Sequence, residues 1–195
     1  MNFVEYTKNL INKYTSDTIN CRTLIVGAGF KAIDIDPIRI IEKNEDGMDL
    51  NDWLIERRNE SSDLFDTVIL SRVLEHFPIR QLDWYLYNIY TVMRENAKLI
   101  CIVPDMPACA NELEKEFDVQ KDGIIPTNMF RINRLTYELL SEGDNVWDRH
   151  ASWTSANSVK YYLEMENLFK VEAIERIKID STIVPLELEF IARRV

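Results

Sequence analysis

No stretch of this sequence approaches the run of about 18 apolar residues that a membrane-spanning helix needs. The longest dense run, Leu99 to Val103, has the length of a buried strand instead. The N-terminus lacks the basic-then-apolar order of a signal peptide, so a cytoplasmic protein without a membrane partner is expected. Cysteine is scarce. Cys21, Cys101 and Cys109 show neither CxxC nor His-partnered spacing, which points to reduced thiols and against a metal site. A basic excess is also missing. The net charge of -10 argues against binding a phosphate backbone, so no nucleic-acid partner is expected. Arg131, Arg134 and Arg149 form at most a small basic patch and read more simply as solvated positions. There are no internal repeats, low-complexity tracts or Gly/Ser linkers.

What is present suits one domain. The 195 residues are 46% hydrophobic and 29% charged, enough to enclose a full core once. Residues 1–20 read as an N-terminal helical segment, with Phe3, Tyr6, Leu10 and Ile11 on one face of a helix over Phe3 to Tyr14. Residues 21–195 read as an α/β core. Strands are expected at Thr23 to Val26, Lys31 to Ile35, Asp66 to Ser71 and Lys98 to Val103, with Asp36-Pro37 ending the second.

Between and after them lie helical patterns. Leu82, Leu86, Ile89 and Met93 recur at helical spacing, with Trp84, Tyr85 and Tyr90 beside them. That face is read as core packing, and pairing of subunits into a homo-oligomer through its aromatics is the second reading. Further helices are expected at Met106 to Phe117, Asn133 to Glu142 and after Thr154 or Ser155, which carry N-cap side chains. Gly123 to Thr127 reads as a loop. Phe169 to Ile179 and Leu186 to Ala192 alternate apolar and polar residues and read as an antiparallel strand pair. The expected fold is α/β, a mostly parallel sheet with a C-terminal antiparallel pair and helices on both faces.

Three segments carry chemistry. The first is TLIVGAGFKAIDIDP, residues 23 to 37, a buried strand running into Gly27-Ala28-Gly29 and then into Asp34 and Asp36. Glycines at the carboxyl end of a first strand let backbone approach a ligand closely, and an acid on the next strand can accept from both hydroxyls of a ribose. The same residues taken alone also describe a tight turn and a strand-end Asp. The second is LFDTVILSRVLEHF, residues 64 to 77, with Leu-Glu-His just after a buried strand. The third is KLICIVPD, residues 98 to 105, a strand ending in Pro-Asp. Gly27 to Ala32 also fits the dinucleotide pattern GxGxxA, but Pro37 and the β-rich Ala-Ile-Asp-Ile oppose the helix that pattern requires.

Together with Gly-Met-Asp-Leu at 47 to 50, these segments resemble, in their order along the chain, the class I S-adenosylmethionine-dependent methyltransferases. The nearest likeness is to small methyltransferase-like proteins with a "VLEH" after the fourth strand and a "VPD" after the fifth. The likeness runs from about Thr23 to Val195. It implies methyl transfer from S-adenosylmethionine to a small-molecule or sugar-like acceptor, at oxygen or nitrogen. It also implies a set of roles. Gly27, Ala28 and Gly29 would face the methionine part and ribose of the cofactor, and Asp34 would bind the ribose hydroxyls. Asp49 would accept from the adenine amino group and Leu50 would line the base. Ser71 and Arg72 would border the methionine end. His76 would face the cleft or support its wall.

An oxygen nucleophile also asks for a base, and the chain has only two histidines, His76 and His150. His150 lies in DNVWDRHASW and is either that base, a substrate contact or a surface-loop residue. Trp147 and Trp153 flank it as stacking platforms or as loop anchors, and Asp105 is a cleft residue or a strand-end turn. There is no (Asp/Asn)-Pro-Pro-(Tyr/Phe) and no Pro-Cys nucleophile, so methylation of DNA bases is disfavoured. The link from Gly29 to Asp34 is far shorter than the dozen residues that parallel neighbours require. It motivates a second reading, a non-catalytic relative with an altered pocket that serves as an interaction or assembly module.

Overall fold

The computed structural model describes residues 13, 22–26, 39–41, 64–117, 152, 154–178 and 186–195. Within them six strands form one sheet: β1 (Thr23–Val26), β2 (Arg39–Ile41), β3 (Phe65–Ser71), β4 (Met93–Pro104), β5 (Phe169–Lys178) and β6 (Leu186–Arg194). Their order is β2-β1-β3-β4-β6-β5. The first four are parallel, and β6 pairs antiparallel with both β4 and β5. Three helices are described: α1 (Ile79–Thr91), α2 (Met106–Phe117) and α3 (Ala156–Glu164). The expected mixed sheet is therefore the observed one. None of these helices is long and apolar enough to cross a membrane.

The strand expected at Lys31 to Ile35 falls outside the described residues. Strand β2 lies beyond Pro37, at Arg39–Ile41. It pairs in parallel with β1, Leu24 opposite Arg39 and Val26 opposite Ile41. Twelve residues separate Val26 from Arg39, the length of crossover that parallel neighbours need.

Local chemistry explains the other boundaries. Helix α1 buries Leu82, Tyr85, Leu86 and Ile89, a three- and four-residue spacing that forms one face. Trp84 and Tyr87 stay exposed on the other. Met93 does not continue this helix as its spacing suggested. The chain turns at Val92, whose N–H donates to the Ile89 carbonyl at 3.2 Å, and Met93 opens β4. Between Phe65–Met93 and Thr67–Lys98 the β3–β4 register slips. Asn96 absorbs the slip at φ 61°, a left-handed conformation that Asn tolerates better than most residues.

Ser155 rather than Thr154 caps α3. Its Oγ accepts from the Ser158 N–H at 3.2 Å, and Ser158 Oγ accepts from the Ser155 N–H at 2.9 Å. This reciprocal box satisfies two donors that the first turn would otherwise leave open.

One face of the sheet, including Val26, Val68, Leu70, Cys101, Val103 and Phe190, packs on α1 and α3. On the other face Ile25, Ile69, Ile100 and Ile102 are equally sealed from solvent. There helical Lys13 reaches Glu189 at 2.9 Å. Strands buried on both faces read as continuous apolar runs, as do Leu24 to Val26 in β1 and Val68 to Leu70 in β3. The rest of the expected N-terminal helix, the loop at Gly123 to Thr127 and the helix at Asn133 to Glu142 lie outside the described residues.

Candidate functional site

Strand order reverses at β1, with β2 on one side and β3 on the other. In an open α/β sheet that reversal leaves a crevice beyond the carboxyl ends of the two diverging strands, where ligands bind. The chain leaves β3 at Ser71, which is buried. Arg72 follows at φ 55°, a strained setting for a side chain with a Cβ, held by a 2.9 Å bond from its N–H to the Ile102 carbonyl. This turn swings the Arg72 guanidinium across to Glu187 at the start of β6, and the two form an ion pair.

Leu74–His76 then form a single 3₁₀ turn, closed by the His76 N–H on the Val73 carbonyl at 3.1 Å. His76 is half-buried at the end of that turn. Glu75 is 0% exposed, as is Glu187. Burial raises the Glu75 carboxyl to about 8; its own backbone and Arg72 pull the other way, and Glu187 adds to the rise. Glu187 is also raised by burial, against the attraction of Arg72. Cys101, facing Glu75, is pushed far above the usual thiol range by burial, and Cys109 to about 11. Both are free, inert thiols.

A short strap crosses above this cluster. The Ser152 N–H donates to the Glu75 carbonyl at 3.0 Å and its Oγ to the Leu74 carbonyl at 3.2 Å. Thr154 Oγ1 donates to the Pro104 carbonyl at 2.7 Å, and its own carbonyl accepts from the Met106 N–H at 3.1 Å. The strap is thus pinned over the carboxyl ends of β3 and β4.

Asp105 takes the strand-end role of its two readings. Its Oδ1 accepts from the Ala108 N–H at 3.3 Å at the start of α2, and its Oδ2 pairs with Arg176 at 2.6 Å. Gly27, Ala28, Gly29, Asp34, Asp49, Leu50, Trp147, His150 and Trp153 lie outside the described residues. Of the expected site, Ser71, Arg72 and His76 are placed, all three at the carboxyl end of β3.

Two residues were missed. Glu75 sat inside Leu-Glu-His, and a carboxylate directly behind a buried strand was the available signal. Glu187 belongs to an alternating segment whose acids read as solvent-facing. They are buried because β6 is an interior strand, between β4 and β5.

No protein-family model matches this chain, and a search of curated proteins returns no match. Solved structures do match. A SAM-dependent methyltransferase from Archaeoglobus fulgidus shares 17% identity over 98% of this chain and 94% of that one, with a TM-score of 0.56. Magnesium protoporphyrin IX methyltransferase from Synechocystis, solved with S-adenosylhomocysteine, shares 12% over 98% and 83%, with a TM-score of 0.54. A 1,6-didemethyltoxoflavin N1-methyltransferase from Burkholderia thailandensis, solved with its substrate and S-adenosylhomocysteine, shares 11% over 99% and 78%, with a TM-score of 0.57. At these identities the likeness is one of fold, and the fold is that of the class I methyltransferases.

Proposed function

We propose that this chain is an S-adenosylmethionine-dependent methyltransferase acting on a small-molecule acceptor at nitrogen or oxygen. The observation that carries the reading is the sheet order, whose reversal at β1 opens a crevice between β1 and β3. The fold match to methyltransferases supports it, and two of those structures hold S-adenosylhomocysteine. Twelve residues between β1 and β2 are enough for a crossover, which supports this reading over a non-catalytic module with a truncated pocket.

Gly27, Ala28 and Gly29 follow β1 directly and are the backbone we assign to the ribose and methionine part of the cofactor. Asp49 and Leu50 are assigned to the adenine. The ribose acid is reassigned. Asp34 precedes β2, whereas Glu42 is the first residue after it, as Gly27 is the first after β1. By its position in the sequence, directly after the strand that pairs with β1, an acid suits a ribose, so we give the role to Glu42.

Bound S-adenosylmethionine supplies an activated methyl group, and transfer then rests mainly on alignment with the acceptor. Ser71 and the Arg72 backbone border the crevice from the β3 side, and the strap through Ser152 and Thr154 covers the ends of β3 and β4 beside it. His150, two residues before Ser152, is assigned to the acceptor side as base or substrate contact, and His76 to the wall. Calorimetric titration with S-adenosylmethionine, S-adenosylhomocysteine and NAD tests the reading. Binding of the first two and not of NAD is expected; binding of none, or of NAD alone, overturns it.

A further inference from the structure

Four buried oxygens at the carboxyl end of the sheet have no hydrogen-bond partner among the described residues: Ser71 Oγ, both carboxylate oxygens of Glu75, and Glu187 Oε2. Folded proteins leave few such atoms, because each forfeits the hydrogen bonds it had with water. Acids buried elsewhere in the sheet are matched. Glu189 has Lys13, and Asp105 has the Ala108 N–H and Arg176. Among the buried acids described, the shortage is therefore local to one place; the unmatched Asn88 Nδ2 and Arg194 Nε elsewhere are donors.

That place has a definite chemistry. Once Glu75 is ionised the four oxygens can all accept, so the site favours a ligand that brings positive charge, with or without N–H donors. The charges facing Glu75 are Arg72 from its own turn and Glu187 from β6; the Cys101 thiol of β4 is neutral. Arg72 balances Glu187. With Glu75 protonated the cluster is neutral, and with Glu75 ionised it carries one negative charge. An anion finds Arg72 already paired and meets acceptor oxygens around it, so a cation suits the site. The cluster spans β3, β4 and β6, one strand beyond the β1–β3 crevice, on the side away from β2.

We propose that Ser71, Glu75 and Glu187 hold the cationic centre of a bound ligand, a sulfonium or an ammonium, and that Glu75 releases its proton to solvent as that cation arrives. This rests on the methyltransferase reading, which offers two sources, the methyl donor and an amine acceptor. The carboxyl that loses its proton becomes the ion pair's anion, so charge is conserved and no other reactant is needed. A Glu75 carboxyl raised to about 8 is protonated beforehand at neutral pH, as the exchange requires.

The test is calorimetry of the full chain at pH 6.5 in buffers of different ionisation heat, which counts protons released per ligand bound. Release approaching one proton with S-adenosylmethionine and none with S-adenosylhomocysteine marks the sulfonium as the cation. Equal release with both marks the ammonium they share. Binding of both without release, followed by release when benzylamine is added to the S-adenosylhomocysteine complex, marks an acceptor amine. Glu75→Gln should abolish whichever release is seen, while the wild-type count stands without any variant. Binding of S-adenosylhomocysteine with no release in any arm, or release that persists in Glu75→Gln, overturns the proposal alone. Failure of S-adenosylhomocysteine to bind overturns the methyltransferase reading beneath it.

Discussion

The two ends of β6 hold charged groups of the same kinds in opposite conditions. At its far end Arg193 forms a two-pronged pair with Glu172, at 2.7 and 3.2 Å, and donates to the Asn96 carbonyl at 2.9 Å. Both side chains stand partly in water, 36% and 38% exposed. Nearby, Asp66 accepts from the Arg22 backbone at 3.1 Å and from Arg94 at 3.0 Å. At its near end Glu187 and Glu75 are sealed from water with one guanidinium between them and oxygens left unmatched. At one end the carboxylates complete their polar contacts within the chain, although Arg194 Nε there has no partner among the described residues. At the other they do not, and it is the end where the strand order opens a crevice. Unmet local rules of this sort concentrate where a protein binds something.

The contrast can be broken by mutation. Arg72→Met strands the Glu187 carboxylate in the interior and should cost about 3–5 kcal/mol in urea unfolding, since removing one partner of a buried pair leaves its charge uncompensated. A loss below about 1 kcal/mol would mean that the near end is as solvated as the far one.

The pH dependence comes next in size. The folded Glu75 carboxyl sits near 8 against an ordinary 4.5, so the folded state holds a proton that the unfolded chain gives up. The stability from that proton is fully present below pH 4.5, declines as pH rises, and is gone above about 8. Glu75→Gln should flatten the decline in a series of unfolding curves, leaving a residual slope in the same direction from Glu187. An unchanged slope would place the proton elsewhere. The smallest effect belongs to Arg193→Met, which should cost no more than about 1 kcal/mol, because a partly exposed pair is screened by water.

Much of this was legible in the sequence, and the failures share a cause. Strand β3, helix α2 and the Ser155 cap follow from runs of buried residues and from cap chemistry, both local. Strand β2 was not read at Arg39–Ile41, because Ile38, Ile40 and Ile41 after Pro37 are no more apolar than Ile33 and Ile35 before it. Pairing with β1 marks it out, and pairing is not a local property. The burial of Glu187 and Glu189 depends likewise on β6 lying inside the sheet, which alternation cannot reveal. Glu75 is hidden by a strap about eighty residues further along the chain. The glycine turn and both histidines were visible as residue types, and their roles come from resemblance and position.

The central claim is that the crevice between β1 and β3 holds S-adenosylmethionine, with Glu42 on its ribose. The most direct measurement is the affinity of wild type, Glu42→Ala and Asp34→Ala for S-adenosylhomocysteine, beside circular dichroism to show that each is folded. The account predicts binding by wild type, a loss of at least about tenfold in Glu42→Ala, worth about 1.4 kcal/mol, and little change in Asp34→Ala. The reverse order would return the ribose to Asp34, and no binding by folded wild type would contradict the account.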